Sequence, residues 1–159
     1  MKKLLIGVIG GSTCSDEKIR QIAYDTGHEI AVRGHILVCG GMGGVMEEAC
    51  RGAKNAGGTT IGILPGKSKT EANRYVDISI VTAMSHARNA IIVRTADALI
   101  AISGQYGTLS EIALAKVIDK PVFGLDTWDI DGIEKVSTPS EALKKIERIF
   151  KGNKGGGLQ

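Results

Sequence analysis

Residues 98–111 read Ala98-Leu99-Ile100-Ala101-Ile102-Ser103-Gly104-Gln105-Tyr106-Gly107-Thr108-Leu109-Ser110-Glu111. Five apolar residues form a run of buried-strand length. A glycine-rich turn follows, and then a helical periodicity carried by Ile112, Leu114, Ala115 and Ile118 that stops before Pro121. A strand entering a helix through a glycine turn is the unit of an α/β fold with a parallel sheet.

The same unit recurs outward in both directions. Further short apolar runs predict strands at Leu4–Ile9, Ile36–Cys39, Thr59–Ile63, Val76–Val81 and Val122–Gly124. Between them, Ile19, Ile22, Ala23, Thr26 and Ile30 mark a helix that Gly34 can end. Val45, Met46, Ala49, Cys50 and Ala53 mark a second, closed by Gly57-Gly58, and Ala87, Ala90 and Ile91 a third. Thr138-Pro139-Ser140-Glu141 predicts the start of a last helix, with a cap, a first-position proline and a capping-box glutamate, running to about Phe150. The expectation is a Rossmann-like, doubly wound, mainly parallel sheet of about six or seven strands with helices on both faces. It occupies one domain over 1–151, and 152–159 is a frayed tail.

Composition narrows the function classes. The 159 residues include 22 glycines, about twice the ordinary share. They cluster at 10–11, 40–44, 57–58 and 104–107 without a collagen-like period. The net charge of +3 arises from 20 Lys+Arg against 17 Asp+Glu, too balanced to suggest a nucleic-acid partner. Aromatic residues are too sparse for a single-strand stacking groove, and Lys67, Lys69 and Arg74 read as a solvated loop. Cys14, Cys39 and Cys50 have no metal-ligand spacing and fit reduced thiols in the cytoplasm, with Cys39 and Cys50 in the core. Met1–Cys14 has the charge order of a signal peptide, but its apolar stretch is short, Gly7 breaks it, and it is needed as the first strand. No stretch reaches the length of a membrane span.

Ligands of such sheets sit beyond the carboxyl ends of the strands. The clusters at 10–11, 40–44 and 104–107 follow strands one, two and five, so they are expected to share one sheet edge. The turn Ser103–Thr108 at a helix N-terminus offers free N–H groups and the positive end of the helix dipole to an anion. The plain alternative is a tight turn capped by Thr108, with Thr108-Leu109-Ser110-Glu111 forming a capping box. Gly40-Gly41-Met42-Gly43-Gly44 lacks the third glycine of a dinucleotide fingerprint, and strand two ends at Cys39 rather than at an acidic residue, so NAD is not expected. Gly10-Gly11-Ser12-Thr13 adds hydroxyls and backbone donors, or is an ordinary loop capped by Thr13 or Ser15. Gly62–Ser68 has the wrong spacing for a P-loop. If Ser85 caps the third helix, Arg88 lies in its first turn, where a cation opposes the dipole. Arg88 is then either solvated or paired with a phosphate or carboxylate; His86 reads as a surface residue.

Taken together, Ser85-His86-Ala87-Arg88-Asn89, Ala96–Ala101 and Gly104-Gln105-Tyr106-Gly107-Thr108-Leu109-Ser110-Glu111 resemble the LOG (Lonely Guy) family, once described as lysine decarboxylases. The likeness extends to the molybdenum cofactor carrier proteins and to DprA-like Rossmann domains, and runs from the Gly10 loop to Pro121. It implies a hydrolase that splits a nucleoside 5′-monophosphate into free base and ribose 5-phosphate. The 104–108 loop would hold the phosphate, with Glu111 and Arg88 catalytic. Ser103 and Gln105 depart from the family's Pro-Gly-Gly turn, and Asn89 replaces its lysine. The Arg-Asn pair and the short chain are more similar to the carrier and DprA-related branch.

The resulting expectation is a nucleotide- or phosphate-binding protein that carries a nucleotide-like or molybdopterin-type cofactor; the alternative is a phosphoribohydrolase. Its expected binding residues are Gly10, Gly11, Ser12, Gly40, Gly41, Gly43, Gly44, Asn89, Gly104, Gln105, Tyr106, Gly107 and Thr108. No cofactor or metal is required, and the partners are a small phosphorylated ligand and a second copy of the chain, with neither nucleic acid nor membrane. Consecutive Ile91-Ile92-Val93 and Ile112-Ala113-Leu114-Ala115 give helices three and four more apolar surface than one sheet covers, predicting a homodimer or higher homo-oligomer.

Overall fold

A computed structural model of the chain describes residues 2–152. Seven strands form one sheet in the order β4-β3-β2-β1-β5-β6-β7. They are β1 (Leu5–Gly10), β2 (Ile36–Cys39), β3 (Thr59–Leu64), β4 (Ile78–Val81), β5 (Ala98–Ile102), β6 (Val122–Leu125) and β7 (Glu134–Lys135). Every neighbouring pair is parallel, so the expected Rossmann-like, doubly wound α/β architecture is found. The chain steps outward from β1 to β4, then returns to place β5 on the other side of β1. The strand order therefore reverses about β1 and β5, and the crevice at their carboxyl ends is where such sheets take ligands.

Five helices cover the sheet: α1 (Glu17–Val32), α2 (Val45–Asn55), α3 (Arg88–Thr95), α4 (Tyr106–Val117) and α5 (Pro139–Gly152). Strand alternation divides the core. Ala98, Ile100 and Ile102 of β5 join Ile6, Val8, Leu37 and Phe123 on the face covered by α1, α2 and α5. Leu99 and Ala101 join Ile9, Val38 and Ile63 on the opposite face, under Ile92 and Val93 of α3 and Ile112 and Ala115 of α4. Cys39 and Cys50 are buried as expected, with their sulfurs 3.6 Å apart.

The α1–α2 contact depends on glycine in a way the periodicity did not reveal. A Cβ on Gly27 would lie 1.8 Å from the Ala49 carbonyl oxygen, and one on Gly52 would lie 2.0 Å from that of Tyr24. The two helix backbones touch where a side chain would separate them.

Several boundaries differ from the sequence expectation. Asp16, not Thr13 or Ser15, caps α1, its carboxylate accepting from the Lys18 amide at 2.9 Å. Helix α3 begins at Arg88, after a 3₁₀ turn over Ser85–Ala87; Ser85 has φ of +52° and makes no side-chain cap. Helix α4 begins at Tyr106, two residues before the expected cap at Thr108. Strand β4 starts at Ile78, because Asp77 and Tyr75 are engaged by the Thr60 hydroxyl. The short strand β7 has two exposed charged residues and no apolar pattern to announce it. At α5, Thr138 caps the Glu141 amide at 3.1 Å, while the Glu141 carboxylate reaches the Ser137 amide at 2.9 Å rather than that of Thr138. Helix α5 includes Gly152, the first residue of the expected tail, and residues 153–159 lie outside the described residues. No helix of the described residues is long and apolar enough to cross a membrane.

Candidate functional site

At the carboxyl ends of β1 and β5 the chain encloses a cavity of about 490 Å³. One wall is the β1–α1 loop at Gly10, Gly11 and Ser12. The other is Gly104–Thr108 at the start of α4, and Gly40, Arg88, Asn89 and Glu111 also line it. These residues come from positions ten to one hundred and eleven of the chain because parallel strands deliver successive βα loops to the same sheet edge.

The α4 wall is built from an unusual backbone path. Ser103 and Gly104 take φ of +48° and +97°, and a Cβ on Gly104 would sit 2.2 Å from Thr108 Oγ1. Only glycine fits there without strain. The turn is braced from behind: the Thr127 hydroxyl donates to the Ser103 carbonyl at 2.6 Å, and the Trp128 indole N–H donates to that of Gln105 at 3.2 Å. Gln105 occupies the N-cap position but supplies no side-chain cap, and α4 has no acidic residue in its first turn. The amides of Tyr106, Gly107 and Thr108 thus present free donors and the positive end of the dipole.

Gly41, Gly43 and Gly44 have a different place from the one expected of ligand-contact residues. They do not line the cavity. Gly41, with φ of +75°, packs against Leu64 and Gly62. Gly44 is the N-cap of α2, and a Cβ there would lie 2.3 Å from the Gly11 carbonyl, which accepts from the Val45 amide at 3.0 Å. The Gly40–Gly44 segment therefore holds the Gly10–Ser12 wall, and Gly40 alone of its glycines faces the cavity.

Arg88 is only 9% exposed, which overturns its reading as a solvated side chain. Nη1 donates to Asn89 Oδ1, Nη2 donates to the Gly40 carbonyl at 3.4 Å, and the buried Nε has no partner. Burial pulls the guanidinium below its ordinary value, while Glu111 and Cys39 draw it back up. Asn89 completes a bridge between helices, its Nδ2 donating to Ser110 Oγ at 3.3 Å. Its amide is thereby committed to Arg88 and Ser110, although the residue lines the cavity.

Glu111 does not close a capping box. Because α4 starts at Tyr106, Thr108 is already inside the helix and Glu111 turns inward to 6% exposure. Burial pushes its carboxyl up to about 8, with Arg88 pulling the other way. At neutral pH the group is largely a neutral acid that can donate a hydrogen bond. The site thus combines a helix N-terminus, an incompletely satisfied buried arginine and a protonated carboxyl, which suits an anionic group with adjacent polar atoms.

Thr13, Ser15 and Ser103, named in the loops but not among the expected binding residues, also line the cavity, as do Cys14 and Asp16, and His86 reaches it from an exposed position. Their common signal is membership of the same βα loops as the glycine clusters. Among the described residues, no group of three His, Cys, Asp or Glu side chains is placed to hold a metal ion.

Known proteins are similar to this chain in sequence and fold. An uncharacterized protein of Archaeoglobus fulgidus is 49% identical over 144 residues, covering 90% of this chain and 94% of that protein. The molybdenum cofactor binding protein of the phototrophic bacterium Rippkaea orientalis superposes with a TM-score of 0.89 at 39% identity, covering 94% of this chain and 99% of that one. The cytokinin riboside 5′-monophosphate phosphoribohydrolase of Mycobacterium tuberculosis is 31% identical over 138 residues, 80% of this chain and 74% of that protein. This chain spans 47% to 57% of the lengths of several related plant proteins. The sequence profile of the SLOG cluster4 family matches residues 3–151, and the chain belongs to that family, within the LOG-like superfamily.

Proposed function

We propose that this chain binds the phosphate of a nucleotide or pterin-type cofactor and serves as a carrier, without transforming the ligand. The observation that carries this reading is the buried Arg88 Nε, left without a partner in a residue that lines the same cavity as the free first-turn amides of α4. A buried donor left unsatisfied costs about 1–3 kcal/mol, a cost that a phosphate oxygen would relieve. Similarity over 94% of this chain to the Rippkaea orientalis molybdenum cofactor binding protein supports the same class of ligand. The bound molecule is cargo; Gly104–Thr108 would take its phosphate and Arg88 the adjoining oxygens.

The alternative reading is phosphoribohydrolase activity, favoured by the likeness to the Mycobacterium tuberculosis enzyme and by Arg88 and Glu111 sharing the cavity. In that reading a carboxylate stabilises positive charge developing on the sugar. Glu111 raised to about 8 is mostly uncharged at pH 7 and poorly suited to that role, which weighs toward binding. Incubation with AMP followed by chromatography separates the readings: the carrier returns AMP intact and the enzyme yields adenine.

The exposed Leu114 and the 80%-exposed Val117 on α4 support a homodimer built on that helix.

A further inference from the structure

Tyr106 is the first residue of α4, lines the cavity and is 80% exposed. A side chain so placed contributes little to the core, and tyrosine is not a strong helix former. Its ring meets Trp128, with centroids 6.1 Å apart and planes at 40°. Trp128 packs against the core on the α3–α4 face, and its indole N–H is tied to the Gln105 carbonyl. A partly buried, hydrogen-bonded aromatic thus braces an exposed one at the anion site.

The chain has only three tyrosines, one tryptophan and two phenylalanines. Tyr24 lies beneath the Arg51 guanidinium, Tyr75 beneath that of Arg74, and Phe123 is buried. Tyr106 is the tyrosine that borders the cavity, and its neighbour Gly107 leaves open space, since a Cβ there would meet nothing within 4 Å. A phosphate on the first-turn amides would belong to a molecule seated in the same cavity that this residue lines.

We propose that Tyr106, braced by Trp128, is the platform on which the planar heterocycle of the ligand stacks. This assignment rests on the phosphate-site reading and adds the group that discriminates a nucleotide or pterin phosphate from other phosphates. Phosphate recognition stays with the backbone and Arg88, and ring recognition belongs to the tyrosine face. Stacking tolerates any flat heterocycle, because each presents a π-face.

The test is titration calorimetry of inorganic phosphate, AMP and neopterin monophosphate on the wild-type chain, Tyr106→Ala and Tyr106→Phe. Trp128, the sole tryptophan, provides a fluorescence readout, and light scattering records the mass of each variant. The expected result is a loss of about fivefold or more in affinity for at least one of the two heterocyclic ligands in Tyr106→Ala. Inorganic phosphate binds unchanged, and Tyr106→Phe restores the heterocycle's affinity. The heterocyclic ligand changes Trp128 fluorescence, and phosphate alone does not. Unchanged affinity for both heterocyclic ligands, or an equal loss for phosphate, overturns the platform while leaving the phosphate site in place. A change in mass without a change in affinity assigns Tyr106 to a subunit contact and likewise overturns it. Wild-type protein that binds none of the three ligands overturns the phosphate-site reading and the platform with it.

Discussion

Arg88 and Glu111 line one cavity from neighbouring helices without forming an ion pair within 4.0 Å. Each influences the other's proton affinity, yet the arginine spends its hydrogen bonds on Asn89 and Gly40. An opposite-charge pair closed on itself would compete with a ligand. This open one leaves Nε without a partner.

Glu111 imposes a pH dependence on stability. Its folded value near 8 lies above the ordinary 4.5, so the folded protein binds more protons than the unfolded chain between those values. Stability from this group is full below about 4.5, falls as pH rises toward 8, and levels off beyond. The slope is at most about 1.4 kcal/mol per pH unit. Glu111→Gln removes it, so melting temperatures of the two proteins converge at pH 4 and the variant is the more stable at pH 8. Parallel melting curves across that range would show that Glu111 is ionised in the fold.

Arg88→Met retains the apolar stem and deletes the charge. Loss of a charge-assisted hydrogen bond predicts phosphate affinity lower by tenfold or more, from about 1.5–3 kcal/mol. The melting temperature holds or rises, because a buried and incompletely paired cation at a helix start is removed. Calorimetry and thermal denaturation on one preparation check both halves; unchanged affinity counts against Arg88 as a ligand group.

Two glycine substitutions separate scaffold from site. Gly27→Ala forces α1 off α2 and lowers stability by about 1–3 kcal/mol, with phosphate affinity of the remaining folded protein unchanged. Gly104→Ala meets Thr108 at a φ of +97° and costs a similar ~1–3 kcal/mol of strain. It also displaces the amides of the α4 wall and so weakens phosphate binding. Denaturant melts alongside binding titrations distinguish the two patterns.

Assembly is tested on α4. Light scattering of the 16.7 kDa chain is expected to give twice that mass at micromolar concentration. Leu114→Glu combined with Val117→Glu returns it to the monomer without lowering the melting temperature by more than a few degrees, since both side chains are exposed in one chain. A monomeric wild type defeats the assignment.

The strands Ile36–Cys39 and Ala98–Ile102 coincide with their apolar runs, and the residues of α2 chosen by periodicity are all buried. The meeting of the Gly10, Gly40 and Gly104 loops was also legible, because a parallel α/β order sends every βα loop to one edge. The Thr108–Glu111 spacing misled, because the same four residues serve as a capping box or as one inward-facing turn. Moving the helix start by two residues decides between them.

Apolar periodicity, turn glycines and their order along the chain determined the architecture and the location of the site, since these are properties of neighbouring residues. Tertiary structure alone decided that Arg88 is buried with a free Nε, that burial raises the proton affinity of the Glu111 carboxyl, and that Gly41, Gly43 and Gly44 support the cavity rather than face it. It likewise set Trp128 beside Tyr106, 22 residues away in sequence. Burial, proton affinity and close approach depend on atoms supplied by distant segments, and a local pattern holds no record of which segments will meet.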